Sequence, residues 1–420
     1  MTGGAKPALL AALFLAALSL LSLHAGPGEA RPELSAPLLV SDPTHITGER
    51  HIALGPEGRI YVVWGGGRLE CTGNVYFARS TDGGQTFAAP RNLSQVPCDS
   101  FTENAYNPKV AVDAGGTVYV VWVRVGPDGP PPNQVYFTRS SDGGETFAEP
   151  RNISSSPPVP ASFGAVIPDI AAGPAGQVFV AWVDQYDPEQ SEQVFFSRST
   201  DGGETFSAPV QVTFRSTDWA NSSDPALALD PAGLVCVGWR QLKPGAVDVF
   251  LSQSTDRGAT FSAPVDLSEG LGISLPPVRV AADAEDRVYA AWTLKEMLWE
   301  TWFRRSLDGG LTFSQPRRIS RPRHGTSLLQ GIAVGRPGQV CIAWHEARKD
   351  SDIFARCSFN SGDRFRKAFN ASGPLGWQQG DIAADVEGNV YLVFGGDLRS
   401  INPDAWWTGV YFRRSLEPLQ

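Results

Sequence analysis

The sequence predicts an all-β fold: a β-propeller, with seven four-stranded blades closed by an N-terminal strand. Three observations carry this. The phrase Ser-x-Asp-Gly-Gly-x-Thr-Phe recurs along the chain. An apolar run ending in an aromatic residue precedes each copy. The last unit lacks a piece that a stretch near the N-terminus can supply. Six blades with a stray half-unit is the alternative.

The phrase begins at Ser80, Ser140, Ser199, Ser254 and Ser306, with a decayed copy at Ser358–Phe365. Its Asp or Asn positions lie 60, 59, 55, 52 and 52 residues apart, a repeat period that marks a modular array. The apolar runs end at Trp64, Trp122, Trp182, Trp239, Trp292, Trp344 and Phe394, which makes seven units. Ile60, Val62 and Trp64 alternate with Tyr61 and Val63, so this strand is apolar on both faces and belongs between two layers. A third strand ends in Tyr-Phe-x-Arg-Ser, as at Tyr76–Ser80, and a short fourth follows a Pro, as at Pro90. Four short antiparallel strands make one blade. The Asp carboxylate can accept N–H bonds within its own turn, the Gly pair permits positive φ, and the Phe is placed to pack between blades. The phrase lacks the spaced carboxylates of a calcium loop.

The seventh unit stops at Arg414-Ser415-Leu-Glu-Pro-Leu-Gln420, without a phrase or a fourth strand. Ser35-Ala-Pro-Leu-Leu-Val-Ser41 matches the fourth-strand stretch Ser262–Ser268, so an N-terminal strand can close the ring and remove its exposed edges.

The 420 residues are 42 % hydrophobic and 19 % charged, enough apolar material for a large core. Twelve Trp and 22 Phe against 2 Met suit a rigid β-rich interior, and 44 Gly with 33 Pro imply many turns. The net charge of −9 argues against a nucleic-acid partner. The common nucleotide, zinc and serine-hydrolase motifs are absent, and no cofactor or metal is expected. Lys6, the apolar run Ala8–Leu23 and the small residues before Ala30 read as a signal peptide over residues 1–30, leaving a single domain over 31–420. The run is shorter than the ~20 residues that span a bilayer. The mature chain is therefore expected outside the cell or in the periplasm, with no membrane span, as a monomer. Of the five cysteines, Cys71 can pair with Cys98 and Cys341 with Cys357, leaving Cys236 free and buried.

One face of such a ring carries the starts of the first strands and the links from second to third strands. The starts hold Glu49-Arg50-His51, Glu103-Asn104, Lys109, Asp169, Asp224, Arg279 and Asp381. The links hold Arg68, Glu70, Arg124, Asp184, Tyr186, Arg240, Lys295, Glu296, His345, Glu346, Arg348, Asp397 and Arg399. Arg and carboxylates around one channel can bind polar, hydroxyl-rich or acidic ligands, and they can equally be solvated or paired locally. From these the expected ligand-binding residues are Arg124, Asp184, Tyr186, Arg279, His345, Glu346 and Arg348. Within Trp344-His345-Glu346-Ala347-Arg348, Glu346 and Arg348 are either a hairpin salt link or an acid and an anchor.

The repeated phrase resembles the Asp-box, or bacterial neuraminidase repeat, of sialidases and other secreted or lumenal propellers, over roughly residues 35–420. That resemblance also underlies the six-bladed, sialidase-type alternative. Arg50-His-Ile-Ala-Leu, Gly58, Trp64 and Arg68 are similar to the opening of a sialidase: Arg-Ile-Pro-x-Leu, a Gly turn, an apolar strand and a second Arg. The gap between the arginines here is 18 and the Pro is missing. The resemblance implies that Arg50 and Arg68 take two of three guanidinium places around a substrate carboxylate, with Arg279 or Arg348 as the third. It implies an acid/base near Glu70, so that Arg50, Arg68 and Glu70 form the expected catalytic set. It also implies a Tyr nucleophile assisted by Glu; Tyr106 and Tyr186 lie on the expected face.

Three functions follow as expectations. One is a sialidase-type glycoside hydrolase acting on terminal acidic sugars. Another is a non-catalytic propeller binding glycans or extracellular proteins at the channel mouth. The last is an extracellular scaffold.

Overall fold

The computed structural model describes residues 32–419 apart from 69–70, 98–102, 127–132, 155–163, 186–190, 214–220, 244, 323–324, 348–351, 374–375 and 398–407, with backbone alone at 46, 71–72, 376–378, 397 and 408. Among these residues, 28 strands form five four-stranded sheets and one eight-stranded sheet. The eight-stranded sheet is two four-strand sets joined by a single parallel bridge between Val247 and Ile273. Each set runs antiparallel in the order first, second, third, fourth, as in Ile46–Leu54, Ile60–Arg68, Cys71–Ser80 and Arg91–Asn92.

The first strands are Ile46–Leu54, Asn104–Val112, Val166–Ala172, Ser222–Leu229, Ile273–Ala282, Thr326–Val334 and Gly376–Ala384. Each packs on the next, and Gly376–Ala384 packs on Ile46–Leu54, so the sets close into a ring. The fold is a β-propeller. Second strands are buried on both faces because each feeds two cores. Ile60, Val62 and Trp64 pack with Val393, Val410 and Phe412 of the preceding set. Tyr61 and Val63 pack with Val110, Val118 and Trp122 of the following one. Trp64, Trp122, Trp182, Trp239 and Trp292 are at most 1 % exposed. Several stack on a third-strand aromatic ring, with centroids 5.9 Å apart for Trp64 and Tyr76, and 6.3 Å for Trp122 and Tyr136.

The last set, Gly376–Ala384, Val390–Asp397 and Thr408–Arg414, takes its fourth strand from Leu38–Leu39. Leu38 pairs with Phe412 and Leu39 with Tyr411, antiparallel. A serine following the fourth strand identifies the substitution. In other sets Ser94, Ser268 and Ser320 accept a third-strand N–H through Oγ at 2.9, 3.0 and 2.8 Å. Ser41 accepts from Val410 N–H at 3.0 Å, across 369 residues of sequence.

The repeated phrase works as a self-contained turn and as a contact between sets. Asp82 Oδ1 accepts the backbone N–H of Gln85 and of Thr86, both at 2.9 Å, and Oδ2 accepts the Thr86 hydroxyl at 2.6 Å. The decayed copy keeps part of this, since Arg364 N–H donates to Asn360 Oδ1 at 2.8 Å. The phrase Phe residues pack edge-on against an aromatic ring of the preceding set: Phe147 on Phe77, Phe206 on Phe137 and Phe261 on Phe196. The Arg before the phrase reaches forward to the next copy, with Arg79 donating to Gly143 O at 2.8 Å and Arg139 to Gly202 O at 2.6 Å.

These turns make stability pH-dependent. The Thr205 hydroxyl, then the Thr205 backbone N–H and the Ser199 hydroxyl, hold the Asp201 carboxyl well below the usual carboxylate range. Asp82 and Asp256 are lowered in the same way. A depressed folded-state pKa gives stabilisation that is complete above the unfolded value, roughly pH 4, and is lost as pH falls further. Thermal melts of Asp201→Asn should show lower stability than wild type at pH 5 and a shallower decline towards pH 2. Parallel curves would show that the carboxylates do not carry the effect.

Cys341 and Cys357 sit opposite each other on adjacent strands and form a disulfide, and Cys236 is free and buried. Cys98 and the Cys71 side chain lie outside the described residues. Among the described residues no helix is long and apolar enough to cross a membrane.

Candidate ligand site at the channel mouth

Every first strand has a register shift near one end: Thr47/Arg50, Tyr106/Lys109, Val166/Asp169, Ser223/Ala226, Leu275/Val278, Leu329/Gly331 and Gly376 to Gly380. Prolines explain several of them, because Pro cannot donate to the ladder and is confined to edges and bulges. They occur as Asn107-Pro108, Ile167-Pro168, Asp224-Pro225 and Pro276-Pro277, the last joined by a cis peptide. Asn107, Ile167 and Asp224 adopt φ of +51°, +52° and +53°. For Ile167, which is β-branched, this is a strained backbone.

Just beyond these bulges, one register level of the ring carries His51, Lys109, Asp169, Ala226, Arg279, Gly331 and Asp381, each opposite the residue preceding the second-strand Trp or Phe. Five of these seven are ionisable. They face a central cavity of about 360 Å³ to which all seven first strands contribute. A second cavity of about 330 Å³ lies at the bulges and is lined by Glu49, Arg50, Asp224, Gln330, Gln379 and proline rings, among others. Lys109 and Arg279 line both cavities and so mark the neck between channel and mouth.

Three of the channel groups tie neighbouring first strands together. Asp381 Oδ2 accepts Ile52 N–H at 3.2 Å, His51 Nδ1 accepts Val110 N–H at 3.4 Å, and Asp169 Oδ2 accepts Leu227 N–H at 2.8 Å. With Nδ1 accepting, the proton of a neutral His51 sits on Nε2, 3.5 Å from Asp381 Oδ2. Burial, then the charges of Lys109 and Arg279, push the His51 pKa well down, so the ring is neutral at pH 7. Burial raises the Asp381 carboxyl, against the lowering influence of Lys109 and Arg279. Burial also lowers the Lys109 ammonium, and the charge of Arg279 adds to that. Gly331 makes room for this arrangement, since a Cβ there would lie 2.7 Å from Asp381 Oδ1.

The residues expected from sequence are distributed unevenly. Arg279 is at the neck. Arg50 borders the mouth, but its guanidinium donates to Gln379 O and Gly48 O and is 6 % exposed as a residue, so it clasps the first and last sets. Arg68 lines neither cavity; it is exposed at the end of its strand, and its charge acts on Asp42, His45 and Tyr76. Arg50 and Arg68 thus do not line one of these cavities together. Arg124 pairs with Glu103 at 2.9 Å. Asp184 is buried and accepts Gln185 N–H at 2.7 Å. His345 is half-buried and Glu346 buried on the sixth set's second strand, and neither lines either of the two cavities described above. Glu70, Tyr186 and Arg348 lie outside the described residues. Tyr106 donates its hydroxyl to Asn133 Oδ1 at 3.2 Å.

Lys109, Asp169 and Asp381 were readable as strand starts, but their shared level was not. Its signal is the repeated proline one to three residues ahead of a charged or small residue within an apolar first strand.

These features define a propeller of Asp-box repeats with a polar, charged channel. The chain belongs to the BNR repeat-like domain family, whose profile matches residues 58–369. A search of the curated proteins found no match. Among solved structures the chain is similar to an ulvan lyase of a polysaccharide lyase family at 12 % identity and a TM-score of 0.57, covering 91 % of this chain and 94 % of that one. It is similar to an α-L-arabinofuranosidase of Fusarium graminearum at 13 % identity and a TM-score of 0.52, covering 92 % and 98 %. A Hadza microbial sialidase matches at 15 % identity and a TM-score of 0.50, covering 88 % of this chain and 65 % of that one. At these identities the likeness is one of fold.

Proposed function

We propose that this chain is an exported propeller that binds carbohydrate at the channel mouth. The observation that carries the reading is the mouth cavity of about 330 Å³, walled by proline rings and edged by Glu49, Asp224, Gln330 and Gln379. Flat apolar faces with a few convergent polar groups suit a sugar ring and its hydroxyls. The solved structures of similar fold include proteins named for action on sialosides, arabinosides and ulvan, which supports a glycan as the ligand class. Export rests on the signal-peptide pattern of residues 1–30.

Binding is favoured over sialidase-type hydrolysis by the placement of the arginines. Arg50 donates to backbone carbonyls and Arg68 lines neither cavity, which speaks against a carboxylate clamp made by these two.

Glycan-array binding of the folded protein, beside hydrolysis of a fluorogenic sialoside, tests the reading. The expected result is selective glycan binding without sialoside release above blank. Leu328→Trp, which fills the mouth, should abolish binding while leaving the fold intact. Binding unchanged in Leu328→Trp would move the site elsewhere, and sialoside release would restore the hydrolase reading.

A further inference from the structure

Among the described residues, several buried or half-buried cations are matched. Arg240 pairs with Asp224, Arg124 with Glu103 and Arg304 with Glu269. Arg50 and Arg413 donate to backbone carbonyls. Lys109 and Arg279 at the neck depart from this. Among the described residues neither lies within ion-pair distance of a carboxylate. Among the described residues Arg279 makes one hydrogen bond, to the neighbouring Val278 O at 3.1 Å, and the Lys109 ammonium makes none. The two channel carboxylates that could neutralise them, Asp169 and Asp381, are turned to backbone N–H groups of adjacent strands.

Lys109 and Arg279 are half-buried, and two like charges drawn to one neck repel each other with no carboxylate paired to either. A single anion between them relieves that repulsion. A guanidinium offers a planar fork to an oxyanion and an ammonium offers a point charge. Space is available beside Arg279 on one side, where the neighbouring ring position is the small Ala226, which lines the channel.

We propose that the neck is an oxyanion site, in which Lys109 Nζ and the Arg279 guanidinium together hold one carboxylate, sulfate or phosphate group. The group is supplied either by a free anion or by an acidic sugar seated in the mouth; the second source rests on the carbohydrate reading above.

Isothermal titration calorimetry of the full chain with sodium sulfate, glucuronate and glucose tests this, at matched ionic strength in chloride. Sulfate and glucuronate are expected to bind at one site and displace each other. Folded Lys109→Met and Arg279→Met should each lose at least about tenfold in affinity for both, the scale of one charge-assisted hydrogen bond. Lys109→Arg, which keeps the charge, should retain binding. Should the methionine variants fail to fold, thermal melts of wild type decide: sulfate should raise the melting temperature above that in chloride of equal ionic strength.

No sulfate or glucuronate binding to wild type, full affinity in folded Lys109→Met, or equal melting in both salts where melts must decide, overturns the proposal. Glucose and glucuronate binding equally with sulfate silent would sink the neck and leave the mouth reading standing. Sulfate binding that depends on Lys109 without any sugar binding would support the neck and sink the mouth reading.

Discussion

Deletion of residues 33–41 is expected to unfold the protein or lower its stability by most of its total. The segment supplies the fourth strand of the last set, the buried Val40 side chain, the Ser41 hydroxyl that accepts Val410 N–H, and the Ser35 carbonyl that accepts Arg413 Nε–H at 2.7 Å. It also makes backbone bonds from Ser35 N–H to Arg414 O and from Val40 N–H to Val410 O, both 2.8 Å. Burying Val40 contributes about 2 kcal/mol and each hydrogen bond about 1 kcal/mol. The sum is comparable to the lower end of the roughly 5–15 kcal/mol by which domains are stable. Removal further exposes a strand edge, a template for aggregation. Urea denaturation followed by near-UV circular dichroism reads the effect, and a synthetic peptide of residues 33–41 added in trans should restore part of the lost stability. An unchanged midpoint would mean that the ring does not depend on this strand.

The second large effect is expected at Gly258. The second glycine of the phrase is usually read as a source of positive φ, and Gly258 has φ +77°. The structure adds a harder constraint. A Cβ at Gly258 would lie 2.3 and 2.4 Å from Cε1 and Cζ of Phe196, in the preceding set. Gly144 faces Phe77 and Gly203 faces Phe137 in the same way, at 2.6 and 2.5 Å. Gly258→Ala therefore pays for a left-handed backbone, about 1–2 kcal/mol, and for overpacking between sets, about 1–3 kcal/mol. Gly310 separates the two. Its φ is +91°, but its Cβ would meet Leu251 Cδ2 at an ordinary 3.4 Å. Gly310→Ala should lose only the backbone share, about 1–2 kcal/mol. Equal losses in the two variants, by denaturant midpoint, would show that contact between sets is not what forbids a side chain.

The fold was legible because each unit repeats its own local instructions. Ser80, Asp82 and Thr86 close their turn without help from outside the phrase, so the phrase can be read in isolation. Closure was legible for the same reason, since Ser41 stands where Ser268 stands in a complete unit. What escaped the sequence was anything decided between units. Arg50 matches a sialidase-like opening by its neighbours, yet its fate is set by Gln379 O, 329 residues away. Arg124, Arg240 and Arg279 look alike in sequence as polar residues at one face. Glu103 and Asp224 satisfy the first two within their own sets, while the channel carboxylates Asp169 and Asp381 are engaged by backbone N–H groups of other strands. The level shared by His51, Lys109, Asp169, Arg279 and Asp381 depends on bulges that shift each first strand, and such register is not written in residue type alone.

The central claim is that the channel mouth, above the neck formed by Lys109 and Arg279, is where this propeller takes its ligand. A crystal structure of the chain with an oligosaccharide that contains glucuronate tests it most directly. The account predicts a sugar ring among Glu49, Asp224, Gln330 and Gln379, with its carboxylate turned down to Lys109 and Arg279. A sugar held on the face of the Asp-containing turns, or along the outer strands with the mouth empty, would contradict it.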